Sequence, residues 1–163
     1  MNKVGLWKVK TFNSTAGSAS LVCTDAFNSS YDSYRIIIKG GSTSATANML
    51  MQLGGITTGY YSASVFGTFA GAAPATAASA NASTWSSFGQ GTTTTTSGML
   101  DVHLVTGEPR WYTSQWVGPA TTGTVYSGGG YNASTTAVTS FTLTLSAGTF
   151  NAGVTVTVYG YNL

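Results

Sequence analysis

The feature that most restricts this chain is a two-residue alternation that recurs along its length, with no stretch where apolar residues return every three to four positions. In Val154-Thr155-Val156-Thr157-Val158-Tyr159 the valines point one way and Thr, Thr and Tyr the other. Phe141-Thr142-Leu143-Thr144-Leu145 and Leu100-Asp101-Val102-His103-Leu104 repeat the pattern. A helix cannot collect such residues on one face, whereas a strand does so automatically. Tyr34 to Lys39 holds Ile36-Ile37-Ile38, apolar on both sides, and reads as a central strand. Further strands are expected at Leu6 to Phe12, Ser20 to Thr24, Asn48 to Leu53, Tyr60 to Phe69, Trp111 to Val117 and Thr121 to Tyr126. Turn chemistry separates them: Gly40-Gly41-Ser42, Gly54-Gly55, Gly107-Glu108-Pro109 and Gly128-Gly129-Gly130.

About 8–10 short strands predict an all-β antiparallel β-sandwich of jelly-roll type, one domain over 1–163. The core is expected to contain Ile36, Ile38, Leu143, Leu145, Val156 and Val158. Two stretches are expected to be flexible loops. One, near 70–83, is Ala-rich but broken by Gly71 and Pro74; the other, near 89–98, centres on Thr92 to Thr96. The loops are expected to lie together at one outward end.

Charge is scarce: six Lys/Arg and four Asp/Glu, 6 % of 163 residues, against a usual quarter. That argues against nucleic acid as a partner, because too few cations are present to neutralise phosphates. It argues equally against a coiled coil or a charged disordered chain. No apolar run reaches membrane-spanning length. Lys8 and Lys10 interrupt any signal-peptide core, so synthesis in the cytoplasm is expected. Cys23, the single cysteine, lies in an apolar run and reads as a buried structural thiol.

The raw material for catalysis is thin. Asp101 and His103 leave the same face of one strand, but no nucleophile motif accompanies them, and the ordinary reading is a polar outer face. One histidine and one cysteine do not make a zinc site. No enzyme activity, cofactor or metal is therefore expected. Two groups of residues suit binding instead. Tyr60, Trp111 and Trp116 serve core packing, a subunit interface or stacking on a host glycan. Lys3, Lys8 and Lys10 beside Trp7 make residues 1–12 either a protected edge strand, with Lys8 and Lys10 sharing a face, or an arm attaching to an acidic protein surface.

Two stretches also resemble a known group. Phe27-Asn28-Ser29-Ser30-Tyr31-Asp32-Ser33-Tyr34-Arg35-Ile36-Ile37-Ile38 resembles a pattern in small virion proteins of tailed bacteriophages: an aromatic, a short spacer, Tyr-Asp-x-Tyr-Arg/Lys and an aliphatic strand. Ser146 to Tyr161, ending Tyr159-Gly160-Tyr161, is similar to the closing strand of that group. Met49 to Leu53 and Tyr60-Tyr61 fall where such proteins place a Leu-rich strand and a Gly-Tyr turn. The resemblance implies a β-sandwich structural protein of the virion. Its expected roles are a capsid decoration or cement protein on the head exterior, or a tail-fibre component. It also implies assembly as a homotrimer against the major capsid protein or other virion proteins, with no catalytic residues to carry over. The independent alternative is a carbohydrate-binding module.

Overall fold

The computed structural model describes residues 5–71, 73–118 and 123–162. Twelve strands make up the fold, with no helix among the described residues: β1 (Gly5–Asn13), β2 (Ser20–Cys23), β3 (Ser33–Lys39), β4 (Ala47–Leu53), β5 (Tyr60–Thr68), β6 (Ala75–Ala82), β7 (Trp85–Gly91), β8 (Thr96–His103), β9 (Arg110–Val117), β10 (Thr124–Asn132), β11 (Phe141–Leu145) and β12 (Thr155–Asn162). All pair antiparallel in one continuous, unclosed sheet. Its order turns back on itself at the β7–β8 hairpin. On one side lie β2-β11-β4-β7, and on the other β1-β12-β3-β8-β9-β10-β5-β6. The two layers share one core, so the architecture is a sandwich, as the alternation requires.

That core holds Ile36, Ile38, Val156, Val158, Leu100 and Val102 from the wide layer, and Met49, Met51, Leu53, Phe141, Leu143 and Cys23 from the narrow one. Five of the six expected core residues are buried; Leu145, at the end of β11, is only partly so. Burial pushes the Cys23 thiol up to about 12, which fits an inert structural cysteine.

The structure corrects the two loops. Residues 75–82 are strand β6, the edge partner of β5. Their side chains alternate in polarity only with a break at Ala77-Ala78, and no large apolar residue marks an inward face, so the pairing leaves little trace in the sequence. Near 89–98 the chain is the end of β7, a turn and the start of β8. Thr92 makes this turn: its Oγ1 accepts from the amides of Thr94 and Thr95, and donates to the Thr95 carbonyl. The two extra strands bring the count to twelve. Strand β7 escapes a period-two reading because three residues bulge between its pairs Gln90–Asn48 and Ser86–Leu50. Trp85 and Phe88, three apart, are consequently both buried. The segment expected as a strand from Thr121 begins within 119–122, outside the described residues; β10 runs from Thr124.

The two stretches that carry the resemblance meet in space. Phe27 packs edge-on against Tyr34, and the Tyr34 hydroxyl donates to the Asn28 carbonyl while accepting from its amide at 2.9 Å. This folds the 27–34 segment back under β3 and presents Tyr31 to β12. The ring of Tyr31 lies where a side chain on residue 160 would be: a Cβ there would be 2.3 Å from it. Only glycine fits Tyr159-Gly160-Tyr161 beneath that ring.

Candidate functional site

The outward face of the wide layer carries most of the chemistry. Antiparallel register brings Ser33, His103, Trp111, Tyr131 and Tyr61 into one row across β3, β8, β9, β10 and β5. The His103 and Trp111 rings stack at 4.5 Å between centroids, and Tyr131 stacks on Tyr61 at 5.3 Å. The Ser33 hydroxyl is 2.6 Å from His103 Nδ1, which fixes the imidazole plane. The row beneath runs Tyr159, Arg35, Asp101, Thr113, Gly129 and Ala63.

Arg35 and Asp101 face each other across β3 and β8 as a two-pronged ion pair, Nε–Oδ1 2.8 Å and Nη2–Oδ2 2.7 Å. Tyr161 donates its hydroxyl to Asp101 Oδ1 at 2.6 Å, with the guanidinium near its ring at 5.6 Å. Burial pushes the Asp101 carboxyl up, but the hydrogen bonds from Arg35 and Tyr161 outweigh it and hold the group below the usual carboxylate range. Burial, together with the adjacent carboxylate, pushes the Tyr161 phenol up to about 12. The arrangement is thus a fixed carboxylate–guanidinium pair flanked by aromatic rings.

A slot of about 340 Å³ lies here, lined by Ser33, Asp101, His103, Trp111, Thr113 and Tyr161. Further along β8 a second hollow of about 240 Å³ shares Asp101 and Thr113 with it and is bounded by Arg35, Met99, Gln115 and Ser127.

Trp111 is held from below. The next residue back, Arg110, is fully buried on the opposite face, and its guanidinium donates to the carbonyls of Val105, Glu108, Thr135 and Thr136. One side chain therefore ties the turn before β9 to the segment after β10, next to Trp111 and its register partner Tyr131.

The other half of this face is uncharged. Among the described residues, no Lys, Arg, Asp or Glu side chain stands on the outward faces of β9, β10, β5 or β6, since Arg110 points inward. Val65, Val117, Val125, Tyr61 and Tyr131 are exposed there instead.

The sequence-derived candidates divide. Trp111 is 45 % exposed, and its neighbour Tyr112 faces the core, as their opposite orientation required. Tyr60 and Trp116 offer no face to an outside ring, because both are buried. The Tyr60 hydroxyl accepts from the Leu53 amide and donates to the Ile56 carbonyl, and its ring meets Trp85 edge-on. Trp116 packs on Tyr126. Both stand at inward register positions, which the sequence alone did not fix.

Lys3 lies outside the described residues. Residues 5–13 form the edge strand β1, paired to β12. Lys8 and Lys10 do not share a face: a bulge at Val9 sets Lys8 opposite Tyr159 and Lys10 opposite Val158, adjacent residues pointing opposite ways. Lys10 is engaged within the chain, with Asp25 at 3.3 Å and the Thr24 carbonyl at 2.9 Å. Trp7 is 45 % exposed, beside Leu6, and is not a core residue. Arg35, Tyr131 and Tyr161 are functional-face residues that sequence reasoning passed over. Their partners lie 60 or more positions away or across strand register, with no local signal.

No three His, Cys, Asp or Glu side chains converge as metal ligands among the described residues. No family model matches the chain, and no curated protein matches it.

Proposed function

We propose that this protein is a non-catalytic structural component of a tailed-phage particle, a decoration or cement protein on the head exterior. The observation that carries a structural, assembling role is the uncharged, apolar outward face of β9, β10 and β5. Soluble monomers rarely expose grouped large apolar side chains, and such groups mark protein contacts. Further support comes from the two stretches that resemble virion proteins, which meet through Tyr31 and Gly160. The low charge suits a particle part: few titratable groups leave stability insensitive to pH, and uncharged contacts are insensitive to salt.

In this reading copies of the chain assemble as a trimer through the apolar face, and β1 meets the neighbouring capsid protein with Trp7 and Lys8. Immunogold labelling of purified particles, using antibodies against the folded protein, tests it. Dense labelling over the head is expected; labelling confined to the tail would make it a fibre component, and unlabelled particles would end the reading. A Trp7→Ala variant is expected to keep its melting temperature within about 2 °C and lose particle attachment, since a half-exposed side chain contributes little to the core.

A further inference from the structure

The geometry points to a binding site for an uncharged oligosaccharide in the slot between Tyr161 and the His103–Trp111 stack. This role is additional to a structural one, and the site lies on the β3–β8–β9 side of the face, where it borders the apolar region at Trp111, Gln115 and Ser127.

Three observations define the ligand chemistry. The slot, about 340 Å³, has the size of a small-molecule site and is bounded by three aromatic rings whose orientations are fixed. Such rings accept the C–H face of a sugar by apolar contact. The charges at its side neutralise each other. Asp101 and Arg35 form a closed pair, so among the described residues the site has no free charge to bind a phosphate, a sulfate or a sugar acid. Yet each partner keeps capacity toward the described residues: they take three of the carboxylate's about four acceptor positions and two of the guanidinium's five N–H donors. An acceptor and a donor held side by side suit two neighbouring hydroxyls, one donating to Asp101 and the next accepting from Arg35.

Length follows from the continuation. From His103 the groove passes Asp101 to Met99, about 14 Å at the rise of a strand, with Thr113, Gln115 and Ser127 along it. Hydroxyl and amide groups at that spacing suit a chain of sugars rather than one. A polypeptide occupant would find no open strand edge here, because β8 is paired on both sides by β3 and β9.

The test uses the isolated full chain on a printed array of neutral and acidic glycans, followed by calorimetry with each retained glycan. Retention of at least one neutral glycan is expected, weakened tenfold or more by Trp111→Ala and by Asp101→Asn, and unchanged by Trp7→Ala. Thermal melts of each variant establish that the fold is intact. Trp111→Ala decides the matter if Asp101→Asn fails to fold, since the Trp111 side chain is half exposed. Retention of acidic glycans only, equal binding by Trp111→Ala, or no retained glycan would each overturn the site. None of these outcomes bears on where the protein sits in a particle, which the labelling experiment reads separately.

Discussion

At the scale of single residues, two arrangements have measurable consequences. The first is Tyr31 over Gly160. An added methyl meets the ring at 2.3 Å, so Gly160→Ala should cost about 1–3 kcal/mol by overpacking. Adding Tyr31→Ala should make the loss smaller than the sum of the single changes, because the clash disappears with the ring. Denaturant titration of the four proteins reads this, and strict additivity would show that the two residues do not compete for one space. The second is Asp101. Its carboxyl is held below the usual carboxylate range, so its stabilising effect is complete above the unfolded-state pKa of about 3.9. The effect is lost as pH falls through the lower folded value, when protonation releases Arg35 and Tyr161. Thermal melts of the native chain should therefore drop progressively as pH falls below about 4. Asp101→Asn should flatten that limb, and an unchanged limb would assign it to another acid.

At the scale of elements, the edge strands decide what can be removed. Strand β6 looks dispensable by composition, but it covers the free edge of β5 from Tyr60 to Phe66. Deleting residues 75–80 would leave β5 with a row of unpaired backbone groups beside exposed Val65 and Tyr61. The expected result is aggregation or a fall in melting temperature of at least about 5 °C. Size-exclusion chromatography and a thermal melt measure it, and a soluble variant of unchanged stability would show that β5 tolerates an open edge. The bulges matter at the same scale. At Val9 one extra residue reverses the facing of the following lysine, and in β7 the bulge places two aromatics three apart into one core.

At the scale of the whole molecule, the distribution of charge over the wide layer would set how copies meet in the proposed trimer. The charged pair and the slot occupy the β3–β8 side, and the exposed valines and tyrosines the β10–β5 side. A trimer formed through the β10–β5 side would leave Arg35, Asp101 and Tyr161 uncovered. Light scattering at micromolar concentration is expected to give three times the chain mass, independent of salt. Val65→Lys with Val117→Lys should give a monomer of unchanged fold, because both side chains face outward. A monomeric native chain, or a trimer indifferent to both lysines, would remove this face as the contact.

The sequence by itself determined the class of fold. Alternation in β3, β8, β11 and β12 dictates strands with one apolar face, and such strands must close over a common core whatever their order. It equally settled that Trp111 and Tyr112 point opposite ways and that Cys23 is inside. Side-chain direction is a local property of a strand, so these conclusions needed no partner. Tertiary structure alone decided which of two aromatics faced outward, because inward and outward are defined by the opposing layer; hence Tyr60 and Trp116 are buried and Trp111 is not. Pairing also decided β6, where no large apolar side chain marks an inward face and the hydrogen bonds of β5 supply the order. The site is of the same kind. Arg35 and Asp101 are 66 residues apart, and Tyr161 a further 60, and only the register of β12, β3 and β8 brings them within hydrogen-bond distance.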